Sequence, residues 1–141
     1  MNPAYDRVAE RADHRCEYCR APEVIFNLRF EVEHILPRSK GGPDDEDNLA
    51  LACRSCNQFK SDCTDGFDLT SGTRIRLHHP RRDAWPDNFR LDSASGRIIG
   101  LTPVGYATIE RLQLNGTLQV AARSMWIELG LFGSFELGAG T

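Results

Sequence analysis

The chain has 141 residues, of which 20 are acidic and 17 are basic, and its formal net charge is −3. This balance excludes nucleic-acid binding through overall charge, so such binding would need a local basic patch. No run of about 18 apolar residues is present, which excludes a membrane-spanning helix, and the N-terminal residues lack the apolar core of a secretion signal. The length fits one domain or a small module with an extension, and we expect a soluble, cytoplasmic protein that is not bound to a membrane.

The N-terminal residues predict a short amphipathic helix. Asn2 followed by Pro3 is typical of an N-cap and a first helical residue. Apolar side chains then recur at helical spacing, at positions 5, 8, 9 and 12. The helix would end before Cys16.

A half-buried strand is predicted over residues 26–34. Apolar residues alternate there with polar ones, and they are Phe26, Leu28, Phe30 and Val32. The strand would end near His34, because Pro37 follows shortly after it. This ending places His34 at the rim of a sheet.

A loop, a second strand and a helix are predicted next. Residues 39–43 have the composition of a loop, and the acidic run 44–47 is interpreted as a solvated loop tip without a metal-binding role. The second strand would cover residues 48–52. Ser55 would cap a helix that ends near residue 62.

The second half of the chain differs in composition. Residues 74–82 contain four arginines and two histidines but no acid, which makes this stretch the candidate basic patch. The alternative is a solvated face that offsets the acidic loop. Segments 89–91 and 97–101 are typical of a hairpin, and helices are predicted to begin at Thr102 and at Thr117.

Four of the five cysteines form two Cys-x-x-Cys pairs, Cys16 with Cys19 and Cys53 with Cys56. Zinc prefers four soft or borderline ligands in a tetrahedron, and two such pairs supply a closed site. We therefore predict a structural zinc ion. The alternative, a disulfide framework, is disfavoured in a reducing cytosol. Cys63, the remaining cysteine, is interpreted as a small core residue.

Glu33 and His34 stand between the two cysteine pairs, and Asn57 directly follows the second pair. Hydrolysis of a phosphodiester needs a base that activates water and a cation that takes up charge on oxygen. His34 can be that base, since the pKa of imidazole lies near neutrality. The oxygens of Glu33 and Asn57 can bind a hard divalent cation. A histidine packed in the core is the alternative for His34.

Residues 16–60 closely resemble the HNH endonucleases, the ββα-metal nucleases that carry a four-cysteine zinc knuckle. The matching residues follow the family order: Cys16, Cys19, Glu33, His34, Ile35, Pro37, Gly41, Gly42, Asn48, Leu49, Cys53, Cys56, Asn57 and Lys60. The resemblance implies that His34 is the general base and that Glu33 is the acidic metal ligand. It also implies that Asn48 pins the loop and orients the base. Asn57 stands where the family more often has a final histidine.

The resemblance implies a divalent-metal-dependent endonuclease that hydrolyses DNA, with structural Zn²⁺ and catalytic Mg²⁺ or Mn²⁺. Nucleic-acid contacts are predicted for basic residues near the motif and in the basic stretch, namely Arg38, Lys40, Lys60, Arg74, Arg76, Arg81 and Arg82. The alternative to an enzyme is a binding protein, namely a non-catalytic zinc module that binds nucleic acid or protein. A delivered nuclease toxin is a third interpretation, but no delivery motif is visible in the sequence.

These observations together predict an α+β fold. A ββα-metal module with an N-terminal helix and a four-cysteine zinc knuckle would cover residues 1–66. An extension made of a small hairpin and two helices would cover residues 67–132 and pack on this module. Residues 133–141 are rich in glycine and would form a flexible tail.

Overall fold

The computed structural model describes residues 2–133, which form short helices and short strands. The helices are α1 (Tyr5–Arg11), α2 (Arg54–Lys60), α3 (Trp85–Asn88), α4 (Pro103–Leu112) and α5 (Thr117–Glu128). The strands are β1 (Glu31–His34), β2 (Leu49–Ala52), β3 (Asp65–Asp68), β4 (Thr73–Arg76), β5 (Phe89–Asp92) and β6 (Arg97–Gly100). This mixture confirms the predicted α+β class.

The strands pair as three separate antiparallel hairpins, β1 with β2, β3 with β4 and β5 with β6. In the first hairpin Glu31 lies opposite Ala52, and His34 lies opposite Leu49. The long connection after His34 therefore leaves and returns at the same end of the hairpin. Helix α2 follows β2 directly, so the predicted order of strand, loop, strand and helix is confirmed.

The strand predicted over residues 26–34 is shorter in the structure. Residues Glu23–Phe26 form a 3-10 helix, and Asn27 has a φ of 54°, so the backbone is not extended there. The ring of Phe26 packs edge-to-face on Phe30 at 4.8 Å and also lies 5.4 Å from the ring of Trp126. Phe26 and Phe30 thus serve aromatic packing and not strand pairing, whereas Leu28 is exposed.

Two helix starts differ slightly from the prediction. Helix α1 begins at Tyr5, and the Oδ1 atom of Asn2 accepts a hydrogen bond of 2.7 Å from the backbone N–H of Ala4. Helix α2 begins one residue before Ser55, and its N-cap is Cys53, whose Sγ accepts from the backbone N–H of Cys56. The thiol of the second cysteine pair therefore takes the capping role that was assigned to Ser55.

The β3–β4 hairpin was not predicted, because β3 has no apolar alternation. Its turn is closed by Asp68, which accepts hydrogen bonds from the backbone N–H of Thr70 at 3.0 Å and from the hydroxyl of Ser71 at 2.8 Å. A Cβ atom at Gly66 would lie 2.7 Å from the carbonyl oxygen of Ala107. Glycine thus allows β3 to pack directly on α4.

One buried apolar cluster includes residues from both halves of the chain. Val8 and Leu51 belong to it in the first half, and Phe89 and Leu112 belong to it in the second half. The predicted hairpin and the two predicted helices of the second half are present as β5–β6, α4 and α5. None of the described helices is long and apolar enough to cross a membrane. Of the predicted tail, residues 134–141 lie outside the described residues.

Candidate active site and zinc centre

Four buried cysteines converge where the N-terminal segment meets the start of α2. The Sγ atoms of Cys16, Cys19, Cys53 and Cys56 all lie within 4.8 Å of one another, and the distance between those of Cys19 and Cys53 is 3.8 Å. A tetrahedral zinc ion with Zn–S bonds of about 2.3 Å separates its sulfur ligands by roughly 3.8 Å. Within residues 2–133, this is the only group of three or more His, Cys, Asp or Glu side chains placed to hold a metal ion.

The electrostatics of the four thiols also favour a bound cation. Hydrogen bonds with Cys16, Cys53 and Cys56 lower the pKa of Cys19, whereas the interaction with Cys16 raises the pKa of Cys53 and of Cys56. The cluster thus stabilises one thiolate at the expense of the others, because neighbouring negative charges repel in a buried site. A zinc ion would remove this conflict by binding all four cysteines as thiolates.

Tyr18, which lies between the first two cysteines, connects the zinc centre to β1 and to the second half of the chain. Its hydroxyl donates a hydrogen bond to Oε1 of Glu33, and its carbonyl oxygen accepts one of 2.9 Å from Nε1 of Trp85. The side chain is completely buried, and this burial, followed by the charge of Glu33, raises the pKa of Tyr18 well above its ordinary value. Three parts of the molecule therefore meet at one residue.

Glu33 and Lys60 form a buried ion pair between β1 and α2. The Nζ atom of Lys60 lies 3.1 Å from Oε2 of Glu33, and their side chains are 2% and 5% exposed, respectively. Lys60 also donates to the carbonyl oxygens of Ile35 at 3.0 Å and of His34 at 3.4 Å. Burial raises the pKa of Glu33, while the charge of Lys60 and the hydroxyl of Tyr18 oppose that change.

This geometry corrects two predictions. Both carboxylate oxygens of Glu33 are occupied, one by Tyr18 and the other by Lys60, and only 6% of the residue is exposed, so Glu33 does not fit a cation ligand in this structure. Lys60 is 2% exposed, so its ammonium group cannot reach a phosphate. The physical reason lies in the pleat of β1, which turns Glu33 inward and His34 to the opposite face.

His34 lies at the end of β1, and its ring contacts a carboxylate of the acidic run. Its Nε2 atom is 2.8 Å from Oδ1 of Asp44, and the same oxygen accepts a hydrogen bond of 3.0 Å from Nη2 of Arg38. The side chain of His34 is 15% exposed and that of Asp44 is 72% exposed. The hydrogen bond with His34, followed by that with Arg38, lowers the pKa of Asp44.

The carboxylate of Asp44 determines which nitrogen of His34 carries the proton. An ionised carboxylate can only accept hydrogen bonds, so Nε2 of His34 must be the donor in the 2.8 Å contact. The 3.3 Å approach of Nε of Arg38 to the same ring nitrogen is then a contact between two donors and not a hydrogen bond. In the neutral ring, Nδ1 keeps its lone pair and is free to accept a proton.

Asn48 holds the long loop in place with three hydrogen bonds. Its Oδ1 atom accepts from the backbone N–H of Leu36 at 2.9 Å. Its Nδ2 atom donates to the carbonyl oxygens of Leu36 at 3.0 Å and of Pro43 at 2.9 Å. Both ends of the loop are thereby fixed to the start of β2, next to the residue that pairs with His34.

Asn57 lies on the second turn of α2 and is partly exposed. Its backbone N–H donates to Cys53, and its carbonyl accepts from Ser61. Among the described residues its carboxamide forms no hydrogen bond, and in particular none with Glu33 or His34. The structure thus leaves the Asn57 side chain available but does not join it to the predicted cation ligand.

The basic stretch 74–82 is largely neutralised by carboxylates. The ion pairs are Arg74–Asp65, Arg76–Asp83 and Arg81–Glu17. The side chain of Arg81 is only 14% exposed, and its burial, aided by the charge of Arg11, lowers its pKa to about 10. Arg82 is exposed and has no acidic partner in the part of the chain that the structure describes. Most of this stretch is therefore not an open basic patch.

One cavity beside the loop after β1 does not coincide with the candidate base. Its volume is about 600 Å³, and it lies between the loop after β1 and the segment after β4. Asn48 and Lys60 line one side and Arg82 lines the other, whereas neither His34 nor Asn57 is among the described residues that line it. The candidate base therefore lies outside this cavity, at the end of β1.

Two residues of this site, Asp44 and Tyr18, were missed by the sequence analysis. Asp44 was assigned to a solvated acidic run, and four consecutive acids give no signal that singles out the one that contacts His34. The sequence gives no signal for Tyr18 beyond its position inside the first Cys-x-x-Cys pair. Its contact with Glu33 joins residues that are 15 positions apart in the sequence, so no local pattern indicates it.

One of three comparisons with known proteins found a match. A family model described as HNH endonuclease matches residues 16–63, a segment that includes the zinc centre, β1, β2 and α2. Searches of curated proteins and of solved structures found no significant match. The part of the chain that is similar to the HNH endonuclease family is therefore residues 16–63, about a third of its length.

Proposed function

We propose that this protein hydrolyses phosphodiester bonds in DNA and that His34 is the general base. The observation that carries the proposal is the contact between His34 and Asp44 at the exposed end of β1, within the segment that matches the HNH endonuclease family. HNH domains typically act on nucleic acids, so the match supports a nucleic-acid-related function.

The chain's own residues are suited to moving a proton. Asp44 accepts the Nε2 proton of His34, which leaves Nδ1 to take a proton from an attacking water. The backbone of His34 is held by a hydrogen bond from Lys60, and the loop that follows it is held by Asn48. A base fixed in this way loses little orientational entropy when the reaction begins.

The divalent cation used by such nucleases, Mg²⁺ or Mn²⁺, would stabilise negative charge on the phosphate oxygens when bound. The predicted ligand Glu33 does not fit this task, because Tyr18 and Lys60 occupy it. Asn57 is a partly exposed oxygen donor, and carboxamide oxygens suit hard cations. Exposed cationic groups for DNA phosphates are provided by Lys40 and Arg82.

A plasmid cleavage assay tests the proposal. Zinc-loaded parent protein is incubated with supercoiled plasmid in Mg²⁺, in Mn²⁺ and in EDTA, beside His34→Ala purified in the same way. We expect cleavage by the parent, no cleavage in EDTA, and a rate for His34→Ala that is lower by a factor of roughly 10² to 10⁴. Equal cleavage by both proteins would show that His34 is not the base.

A specific observation favours a second candidate function. The acidic residue expected to bind the cation is sequestered, and the residue expected to complete the site is Asn57, so the segment resembles a zinc module that binds nucleic acid or protein without cleaving it. The same assay separates the two functions when it is paired with a gel-shift measurement. Tight DNA binding by the parent without cleavage in either cation would favour the binding module.

A further inference from the structure

A second cavity lies where α1, the zinc-binding turn and residues 80–81 meet. Its volume is about 340 Å³, near the lower end of the roughly 300–1,000 Å³ typical of ligand sites. Four arginines and two carboxylates line it, and they are Arg11, Arg15, Arg20, Arg81, Asp13 and Glu17. We call it the arginine cavity. Its lining has a formal excess of two positive charges, although the whole chain is acidic.

The positive charge of Arg11 is not cancelled by a carboxylate. Its Nη1 and Nη2 atoms donate to the carbonyl oxygens of Glu46 at 2.9 Å and of Leu49 at 2.6 Å, which are neutral groups. No ion pair of Arg11 is present among residues 2–133. The guanidinium is therefore oriented by the backbone while its charge remains available to a ligand.

Arg81 brings a buried donor that has no acceptor. Its Nε atom is buried without a hydrogen-bond partner in the described part of the chain, although another of its nitrogens pairs with Glu17. The second carboxylate oxygen of Glu17 is already used, since it accepts from the backbone N–H of Leu51 at 2.8 Å. Buried polar groups normally find partners, so the guanidinium of Arg81 is incompletely satisfied within the described part of the chain.

The cavity is also close to the candidate base in the fold. Arg11 donates to the carbonyl oxygen of Leu49, and Leu49 is the residue opposite His34 in the β1–β2 hairpin. The arginine cavity therefore lies one strand away from β1.

We propose that the arginine cavity binds a phosphate group. Guanidinium groups from separate elements surround the cavity, and planar donors of this kind match the several acceptor oxygens of a phosphate better than those of a single carboxylate. The phosphate is supplied either by the backbone of a bound nucleic acid or by free inorganic phosphate. In both cases the segment after β4 takes part in phosphate binding, because its residue Arg81 lines one side of the cavity.

The test measures phosphate binding directly. Inorganic phosphate is titrated into the zinc-loaded full chain by isothermal calorimetry in phosphate-free buffer, with Arg11→Gln, Arg81→Gln and the control Arg90→Gln. Arg11 and Arg90 are both exposed, so Arg11→Gln is expected to fold even where loss of the Arg81–Glu17 pair disturbs folding. We expect saturable binding of one phosphate by the parent and by Arg90→Gln, and an affinity at least about five-fold lower in Arg11→Gln.

A short DNA duplex, titrated with and without phosphate, distinguishes the two sources. If the site holds a backbone phosphate, Arg11→Gln weakens duplex binding and phosphate competes with the duplex. If the site serves free phosphate, Arg11→Gln weakens phosphate binding alone. Absence of saturable phosphate binding by the parent, or equal phosphate affinity in Arg11→Gln and the parent, overturns the proposal. His34→Ala keeps the cavity, so its phosphate affinity should equal the parent's whatever its cleavage rate.

Discussion

The Nζ atom of Lys60 lies 3.1 Å from the Oε2 atom of Glu33, and both side chains are almost completely buried beneath the end of β1. Removing one partner of such a pair leaves an uncompensated charge in the interior. We therefore expect Lys60→Ala to lower the free energy of unfolding by roughly 3–5 kcal/mol, as measured by urea denaturation of zinc-loaded protein.

The matched control for this substitution is Lys40→Ala. Lys40 is exposed and lies in the loop after β1, so its loss should change the unfolding free energy by less than about 0.5 kcal/mol. If Lys60→Ala lowers the unfolding free energy as little as the control does, the charge of Lys60 is not needed to keep Glu33 buried.

The same pair gives a prediction for Glu33. Glu33→Gln removes the negative charge and keeps an oxygen acceptor for only one of Tyr18 and Lys60, so we expect a loss of stability and a fall in cleavage rate that follows it. Raising the Mn²⁺ concentration should not restore the rate, because Glu33 is not a cation ligand in this structure. A cleavage assay over a Mn²⁺ series checks this, and substantial recovery at high Mn²⁺ would return Glu33 to the role that the sequence predicted.

The parts of the site that the sequence predicted correctly are those encoded locally. Two Cys-x-x-Cys pairs identify four ligands by their spacing alone, and they converge as a closed cluster. Glu33 and His34 are adjacent in sequence, which suggested that they share one site. On a strand, however, neighbouring side chains point to opposite faces, so only one of the two can face solvent.

The remaining contacts depend on the tertiary structure. Glu33 meets Lys60 across 27 residues of sequence, and Arg81 meets Glu17 across a still longer separation. No local pattern in either segment identifies these partners. For the same reason, the run of arginines in residues 74–82 looked like an open basic patch, although three of its four arginines are paired with acids.

The zinc centre predicts different outcomes for two cysteines. Cys53→Ser removes one of the four converging thiols and should prevent stable zinc binding and folding, because a structural zinc ion contributes on the order of 10 kcal/mol to folding. Cys63→Ser is the control, since Cys63 is partly exposed and does not belong to the cluster. Metal analysis should find about one zinc per chain in the parent and in Cys63→Ser, and well-folded parent without zinc would refute the assignment.

Asp44 should act on the rate of cleavage through His34. Asp44→Asn weakens the acceptor for the Nε2 proton of His34, so the ring loses the group that fixes its tautomer. We expect a cleavage rate lower by a factor of about 10 or more, with DNA binding retained. Asp47→Asn, an exposed residue of the same acidic run, should cleave like the parent. Equal rates for the two variants would show that the contact between Asp44 and His34 has no catalytic role.

His78 predicts how stability changes with pH. It is 2% exposed, and burial lowers its pKa to about 4, while Asp83 opposes this shift and Arg20, Arg76 and His79 reinforce it. The unfolded chain therefore takes up the proton first as the pH falls through the usual value near 6.5. The neutral His78 therefore contributes fully to the unfolding free energy above pH 6.5. This contribution is lost as the pH falls from 6.5 to 4.

The comparison with His78→Gln isolates this contribution, because glutamine cannot titrate but can still accept the hydrogen bond from Asn88. Zinc release and the titration of other groups affect both proteins equally, so the difference in unfolding free energy between parent and variant is the informative quantity. That difference should change by about 2 kcal/mol between pH 7.5 and 5, in the direction that relatively favours the variant at pH 5. A difference that stays constant with pH would mean that His78 binds its proton as readily in the folded protein as in the unfolded chain.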